Sequence, residues 1–407
     1  MDIALIYEKY LACGGCVTTD SRAVRGGELF VALKGENFDG NRFVPQALEA
    51  GAAWAVASRD AGLGGDPRVI EVEDTYQALK ALANHHRRQL SIPVIGLTGT
   101  NGKTTTKELC AAVLSTKYNI YYTQGNLNNQ IGVPLTLLSI TRAHEMAIVE
   151  MGASHPGDIK ELVEIAEPNF GLITNVGRAH LEGFGSFEGV MRTKAELYDF
   201  LLAHNGIIFR NADNPHLKEM LGNHLGSLES LGHLVSYTTG TMPEGTHLVG
   251  AYNAENVSAA LCVGEFFGVP HDQALAAIRA YVPSNNRSQL MQTERNTVVI
   301  DAYNANPTSM QAAINAFKGD TYILGAMREL GDYTRLEHQN IVNMLLERKA
   351  DTVLLVGNEY AETTAPYPVF ENVEALCAYL QQHPISHAHI LLKGSRSNQL
   401  EKVIPLL

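Results

Sequence analysis

The spacing of apolar and polar residues divides the chain into three stretches of different rhythm. Over residues 1–91, short apolar runs alternate with helical spacing: 28–32 reads as a strand, 43–50 as a helix and 53–57 as a second strand, together a small α/β module. From Pro93 the rhythm becomes apolar strand, glycine- or amide-rich loop, then helix, which predicts a mostly parallel sheet with helices on its faces. Its strands are read at 92–98, 147–149, 171–174 and 205–211, and its helices at 105–114, 190–202 and 257–267. A polar break at Pro283-Ser284-Asn285-Asn286-Arg287 precedes four further apolar strands, at 297–300, 321–324, 352–356 and 390–392, separated by helical stretches. That layout is Rossmann-like but lacks the G-x-G-x-x-G fingerprint of dinucleotide binding. The expected fold class is α/β in three domains, residues 1–91, 92–283 and 284–407, consistent with a 407-residue chain too long for one core.

The chemistry concentrates after the first strand of the middle stretch. Thr98-Gly99-Thr100-Asn101-Gly102-Lys103-Thr104-Thr105 joins that strand to a helix, as in a phosphate-binding loop. Glycines let backbone N–H groups fold round an anion, Lys103 reaches terminal phosphates, and the Thr104 hydroxyl suits a Mg2+ ligand. The strict eight-residue pattern would have its first glycine at Leu97, so the match is partial. Two further strands deliver Glu150 and the loop containing His180 to what should be the same sheet edge, where ligands collect in parallel sheets. Glu150 is placed as a metal carboxylate and His180 as a site residue, whereas Lys194, within a helical stretch, reads by itself as a solvated lysine. The amide-rich run Gly125-Asn126-Leu127-Asn128-Asn129 reads as a self-capping loop or a polar ligand contact. Asn253 and Asn256 share one side of a helix's first turn, and capping explains only one of them.

Composition narrows the function classes. A formal net charge of -12 argues against general nucleic-acid binding, so anionic ligands must be held locally. No apolar run is long enough to insert in a membrane, and Met1-Asp2-Ile3 lacks a signal-peptide pattern, which predicts a cytoplasmic address. Five cysteines fit a reducing compartment, and Cys13-Gly14-Gly15-Cys16, with no second ligand pair, reads as a turn.

The phosphate-loop motif, Asn175-Val176-Gly177 with His180, Lys194-Ala195-Glu196, and Asn253 with Asn256 together resemble the Mur ligases, ATP-dependent amide-bond-forming enzymes of peptidoglycan synthesis. Thr19-Asp20-Ser21-Arg22, Asp39-Gly40, the amide-rich run, Glu150-Met151-Gly152-Ala153, Tyr303-Asn304-Ala305-Asn306-Pro307, Glu329-Leu330-Gly331 with His338, and Lys393-Gly394-Ser395-Arg396 look like the branch that adds D-alanyl-D-alanine. The resemblance spans essentially the whole chain. It implies a UDP-sugar domain, a central ATPase and a C-terminal domain that closes over them, working as a monomer. It also implies ATP and two Mg2+ ions as cofactors, and UDP-N-acetylmuramoyl-tripeptide and D-alanyl-D-alanine as substrates.

By the same resemblance, Gly99, Thr100, Asn101, Gly102, Lys103, Thr104 and Thr105 bind the ATP phosphates, and Thr104 and Glu150 hold the first Mg2+. Lys194, as a carbamate, holds the second beside His180. Asn253 and Asn256 contact adenine, while Arg287 and Asp301 reach the phosphates and ribose. Ser21, Arg22, Asn126 and Asn129 grip the nucleotide-linked substrate, and Tyr303, Asn304 and Asn306 belong to the acceptor-presenting domain. Three positions depart from the family pattern: Tyr252 where histidine is usual, Ile300 in place of the first of two acids, and Ala326 in place of an aspartate. Another amino-acid-adding Mur enzyme, a folylpolyglutamate synthetase and a nucleotide-binding regulatory protein remain the alternatives at this stage.

Overall fold

The computed structural model describes residues 1–407 except 36, 37, 284 and 285. Parts of the polar loop at 35–40 and of the break at 283–287, including the expected start of the third domain at 284, lie outside the described residues.

Three sheets organise the chain. The first is parallel, in the order Val17–Thr18, Leu29–Val31, Trp54–Ser58, Val69–Val72. Helices Ile3–Ala12 and Thr75–Arg88 belong to this module although neither stood out in the sequence. The second helix is set by its ends: Asp74 caps it by accepting from Tyr76 and Gln77 N–H groups, and Arg87 and Arg88 complement the dipole of its last turn. Cys13–Cys16 forms a turn, as expected, with Gly14 and Gly15 at positive φ.

The middle sheet has six parallel strands, in the order Leu234–Tyr237, Ile207–Asn211, Phe170–Ile173, Val94–Thr98, Met146–Glu150, Ile120–Tyr122. Val94–Thr98 and Met146–Glu150 are buried along their whole length, which is why they read as continuous apolar runs. After Met146–Glu150 the chain crosses to the far side of Val94–Thr98 to lay down Phe170–Ile173. The loops after these three strands therefore open at one topological switch point, the place where parallel sheets bind ligands. Leu97 stays in the sheet with no exposure, so the phosphate loop begins only at Gly99.

The third sheet runs Gln289–Gln292, Thr297–Asp301, His389–Lys393, Thr321–Gly325, Thr352–Val356, Val369–Phe370, parallel apart from its first strand. The strands of these three sheets that sequence rhythm missed, at 17–18, 69–72, 120–122, 234–237, 289–292 and 369–370, are all edge strands and none is buried along its whole length. One-sided packing leaves them without a long apolar run.

The first module is joined to the middle domain through a continuous core that includes Ile6, Leu82, Leu137 and Leu162. Buried Arg87 reinforces that junction by donating to the carbonyls of Ala166 (2.9 Å), Leu90 (3.1 Å) and Glu167 (2.9 Å). Among the described residues no helix is long and apolar enough to cross a membrane, and all five cysteines are free.

Candidate active site

Helix Lys103–Leu114 starts directly from the phosphate loop, with Gly102 in the left-handed region at φ 76° as its N-cap. A Cβ at Gly102 would lie 2.4 Å from Asn256 Oδ1, and one at Gly99 (φ 143°) 2.0 Å from Thr174 Oγ1. Close packing under the loop, as well as backbone conformation, thus requires glycine at both positions. Lys103 Nζ donates to its own loop, to Gly99 O (2.9 Å) and Thr100 O (3.1 Å). Burial, aided by Arg287 and opposed by Glu150, lowers its pKa to about 8.

Glu150 ends its strand with no exposure. One oxygen accepts from Thr104 Oγ1 (3.1 Å) and Asn128 Nδ2 (2.8 Å). The other has no hydrogen-bond partner among the described residues, although Lys107 Nζ stands 3.7 Å away. A buried carboxylate oxygen beside a threonine hydroxyl is the donor chemistry of a hard divalent cation, so the paired expectation for Thr104 and Glu150 fits the residues present. Neither Asn128 nor Lys107 was picked out as a site residue. The first was legible in the amide-rich loop, whereas a lysine inside a helix gives no sequence signal of burial.

His180 occupies the loop after Phe170–Ile173, and its Nδ1 bonds the carboxylate of Glu329, a third-domain residue. Burial, with Lys103 and Lys194 nearby, lowers the histidine pKa against the pull of Glu329. Neutral His180 with its Nδ1–H on a carboxylate leaves Nε2 as a lone-pair donor, the arrangement of a metal-binding histidine. Lys194 is 2% exposed, so it is not the solvated lysine that its local sequence suggested. Its Nζ lies 5.7 Å from the centre of the Phe184 ring, which also packs edge-on to His180. Burial first, then Lys103, holds the amine well below the ordinary lysine range.

The third domain forms the opposite wall. Asn306 caps helix Pro307–Ala316 through a capping box and donates from Nδ2 to Asn101 Oδ1 of the phosphate loop at 2.8 Å. Asp301 accepts from Lys393 Nζ at 2.5 Å, Arg287 stacks 3.9 Å from the centre of the Tyr303 ring, and Asn304 Oδ1 accepts from Ala305 N. At the departure Tyr252, the hydroxyl meets Ser288 Oγ at 2.8 Å, joining the middle domain to the segment after the break. Asn253 and Asn256 are buried and bonded to each other (2.9 Å), and Asn256 accepts from Thr106 Oγ1 (3.0 Å). They brace the phosphate loop from below.

Together these walls enclose a cleft of about 800 Å³ lined by Lys103, Thr104, Glu150, His180, Asn126, Asn129, Arg287, Asp301, Tyr303, Asn304 and Asn306. Within the amide-rich loop, Asn129 Oδ1 accepts from the N–H groups of Ile131 and Gly132, so its oxygen caps. Ser21 and Arg22 do not line the cleft; Arg22 is exposed and paired with Asp20 at 2.7 Å. Lys194 lies behind the cleft wall; Arg328 and Glu329, outside the expected set of site residues, line it together with Lys393, Ser395 and Arg396 at and just after the end of strand His389–Lys393.

Family models match this architecture in all three parts: "Mur ligase family, catalytic domain" at residues 15–87, "Mur ligase middle domain" at 97–264 and "Mur ligase, glutamate ligase domain" at 286–396. The UDP-N-acetylmuramoyl-tripeptide:D-alanyl-D-alanine ligase of Bacillus subtilis strain 168 is 33% identical over 98% of this chain and 93% of its own length. The chain belongs to the Mur ligase family. Similarity of this Mur ligase to the enzyme of the same name from Escherichia coli K12 is 34% identity over 96% of the chain and 93% of the relative. Among solved structures, MurF from Acinetobacter baumannii superposes with a TM-score of 0.83 at 29% identity, covering 98% of this chain and 97% of the other. MurF from Thermotoga maritima in complex with ADP gives a TM-score of 0.83 at 28% identity, with 96% of each chain covered. The three-domain α/β expectation is borne out at the level of architecture.

Proposed function

We propose that this Mur ligase uses ATP to join D-alanyl-D-alanine to UDP-N-acetylmuramoyl-tripeptide, giving the pentapeptide nucleotide, ADP and phosphate in peptidoglycan synthesis. The observation that carries the reading is the convergence of the phosphate loop, the half-satisfied Glu150 carboxylate and the His180–Glu329 pair on one cleft closed by a second domain. Full-length relatives named for this reaction support the choice of acceptor.

The γ-phosphoryl group passes to the tripeptide carboxylate, forming an acyl phosphate. The dipeptide amine then forms the new C–N bond at the acyl carbon as the C–O bond to phosphate breaks. The difficulty is charge, since an anionic carboxylate must approach an anionic triphosphate. The loop N–H groups receive the phosphates, and Lys103 leaves the carbonyls of Gly99 and Thr100 to follow them. Thr104 and Glu150 would hold one Mg2+, and His180 with carbamylated Lys194 the second, where such ions would supply positive charge to the phosphates. A neutral, buried Lys194 amine is the species that adds to CO2, losing a proton to become a carbamate with oxygen donors. Glu329 fixes the orientation of His180, so the third domain completes the site only when closed, and closure keeps water from the acyl phosphate. Arg287 and Asp301 serve phosphates and ribose from that domain, and Asn253 and Asn256 serve adenine once they exchange their mutual bonds. Ser21, Arg22, Asn126 and Asn129 serve the UDP-linked substrate. Tyr303, Asn304 and Asn306 serve the acceptor side. The enzyme works as a cytoplasmic monomer, where both nucleotides and reduced cysteines are at home.

The test measures phosphate release from Mg-ATP and UDP-N-acetylmuramoyl-tripeptide with D-alanyl-D-alanine in one arm and single amino acids in the other, followed by product mass spectrometry. Release with a pentapeptide product only in the dipeptide arm is expected. Nucleotide binding without acceptor-dependent release would reject the ligase reading.

A further inference from the structure

Helix Ile3–Ala12 ends in a pair of thiols that the steps above leave unused. Cys13 is its C-cap and donates its N–H to Lys9 O at 3.0 Å, and Cys16 N donates to Cys13 O at 3.2 Å. Gly14 and Gly15 between them lie at φ 66° and 77°, so the four residues form a β-turn of the kind in which both central positions take positive φ. Such a turn brings the Cα atoms of its first and fourth residues within about 7 Å, and a disulfide bridges about 4.4–6.8 Å. The two sulfurs sit in different surroundings: Cys13 is 8% exposed, in the apolar cluster of Ile6 and Tyr10, whereas Cys16 is exposed. Burial, with Cys16 and Glu28 nearby, pushes the Cys13 thiol up and leaves Cys16 as the thiol that a dissolved oxidant meets first.

The turn is wedged between two segments assigned above to the UDP-linked substrate. On one side Cys16 O accepts from Leu29 N at 2.9 Å and opens the pairing of Val17 with Leu29 and Thr18 with Phe30. Thr18 Oγ1 accepts from Asp20 N at 3.1 Å, and Asp20 caps the short turn Ser21–Ala23, so the strand that leaves Cys16 runs directly into Ser21 and Arg22. On the other side Gly15 crowds Tyr10, since a Cβ there would lie 3.3 Å from Tyr10 Oη. Tyr10 Oη donates to Leu138 O at 2.6 Å, at the end of the helix Gly132–Leu138 that follows the amide-rich loop of Asn126 and Asn129. Joining the two sulfurs draws Cys13 out of its apolar cluster or Cys16 and its strand in toward it. In a close-packed interior either movement shifts one of these contacts.

We propose that Cys13 and Cys16 form a reversible disulfide, and that this bond loosens the hold of the first domain on the UDP-linked substrate. Bond formation stands on the turn alone; the effect on substrate rests on the ligase reading given above. With a small-molecule disulfide as oxidant, Cys16 attacks as the thiolate, forming a mixed disulfide and expelling one small thiolate, which takes up the proton. Cys13 then gives up its proton and attacks the Cys16 sulfur, closing the Cys13–Cys16 bond and expelling the second small thiol, so two protein thiols are oxidised as one disulfide is reduced.

To test this, the reduced chain is equilibrated with oxidised and reduced glutathione in graded ratio. Peptide mass spectrometry locates the bond, and calorimetry gives the Kd for UDP-N-acetylmuramoyl-tripeptide, for the wild type, Cys13→Ser and Cys16→Ser, with thermal melts as a folding control. Expected are loss of two hydrogens from the peptide carrying Cys13 and Cys16, reversed by dithiothreitol, and a Kd raised about 3–10-fold, the worth of one misplaced hydrogen bond. Cys13→Ser should stop at the glutathione adduct on Cys16, and Cys16→Ser should keep its affinity at every ratio. Adducts without an intramolecular bond in the folded wild type, or a bond elsewhere in the chain, would overturn the disulfide. A Cys13–Cys16 bond with unchanged Kd would overturn its effect on substrate. A reduced chain that does not bind the nucleotide at all would overturn the ligase reading and leave the disulfide standing.

Discussion

At the residue scale, burial converts ordinary lysines into reagents. Lys194 sits in a helix whose local pattern says nothing about its role, yet packing of Phe187–Ala203 against the sheet removes it from water and, with Lys103 nearby, holds its amine well below the ordinary lysine range. Lys194→Ala is therefore expected to lose about 100-fold or more in turnover, the scale of losing a metal ligand or its support. CO2-depleted wild type should regain activity with bicarbonate while the variant does not; a variant that keeps full activity would remove the carbamate from the mechanism. Lys103 gives a pH-dependent counterpart. With a pKa of about 8 in the free protein it is mostly deprotonated at pH 8.5, and an arriving phosphate raises that pKa again. Binding of Mg-ADP at pH 8.5 should then take up about 0.7 proton, vanishing below pH 7 where the lysine is already charged. Calorimetry in buffers of different ionisation enthalpy reads this uptake, and Lys103→Met should abolish it.

At the element scale, the ends of helices and strands do most of the positioning. Asn306 is both the N-cap of Pro307–Ala316 and the donor to Asn101, and one substitution separates these tasks. Asn306→Asp keeps a capping oxygen but puts an acceptor opposite Asn101 Oδ1, so thermal stability should hold while kcat/KM for ATP falls about 10-fold, the worth of one such bond. Asn306→Ala should lower stability as well, by about 1 kcal/mol. Equal melting temperatures for the two variants would show that the cap contributes little. The same logic explains the P-loop departure: Leu97 is a buried strand residue, so the loop needs glycine only at 99 and 102, where neighbours crowd the backbone.

At the scale of the whole molecule, the three parts are joined in two different ways. The first module shares a continuous apolar core with the middle domain, which favours a fixed arrangement. The third domain instead shares no continuous core with the middle domain: Val249 and Tyr252 pack against its apolar cluster, and the remaining contacts are polar, Arg178 with Glu337 (3.0 Å), the Arg178 N–H with Thr308 Oγ1 (3.0 Å), Asn101 with Asn306, and His180 with Glu329. Such a junction can open and close at modest cost. Among the described residues, Arg178→Ala leaves the buried Glu337 carboxylate with only Asn340 as a hydrogen-bonding side-chain partner, at 3.2 Å. Because Arg178 itself is largely exposed, the expected weakening is about 1 kcal/mol, or roughly 5-fold in the closed population. Small-angle scattering should show a larger radius of gyration without nucleotide and recovery with it; an unchanged radius would argue against this pair as a closing contact.

Much of this was determined by the sequence itself. Buried parallel strands need unbroken apolar runs, and loops that fold round phosphate need glycines, a lysine and a hydroxyl at close spacing, so the α/β class, the phosphate loop and the placement of Glu150 and His180 after strands were legible along the chain. Short edge strands were not, because one-sided burial leaves no apolar run, and neither was helix Ile3–Ala12. Tertiary structure alone decided which distant residues share a charge environment: that Lys194 is buried, that Lys107 stands beside Glu150, that Glu329 reaches His180 from another domain, and that Arg328 and Ser395 meet on one wall. Desolvation and pairing depend on what the folded chain brings within a few ångströms, and residues 149 positions apart in sequence, as His180 and Glu329 are, carry no local sign of their meeting.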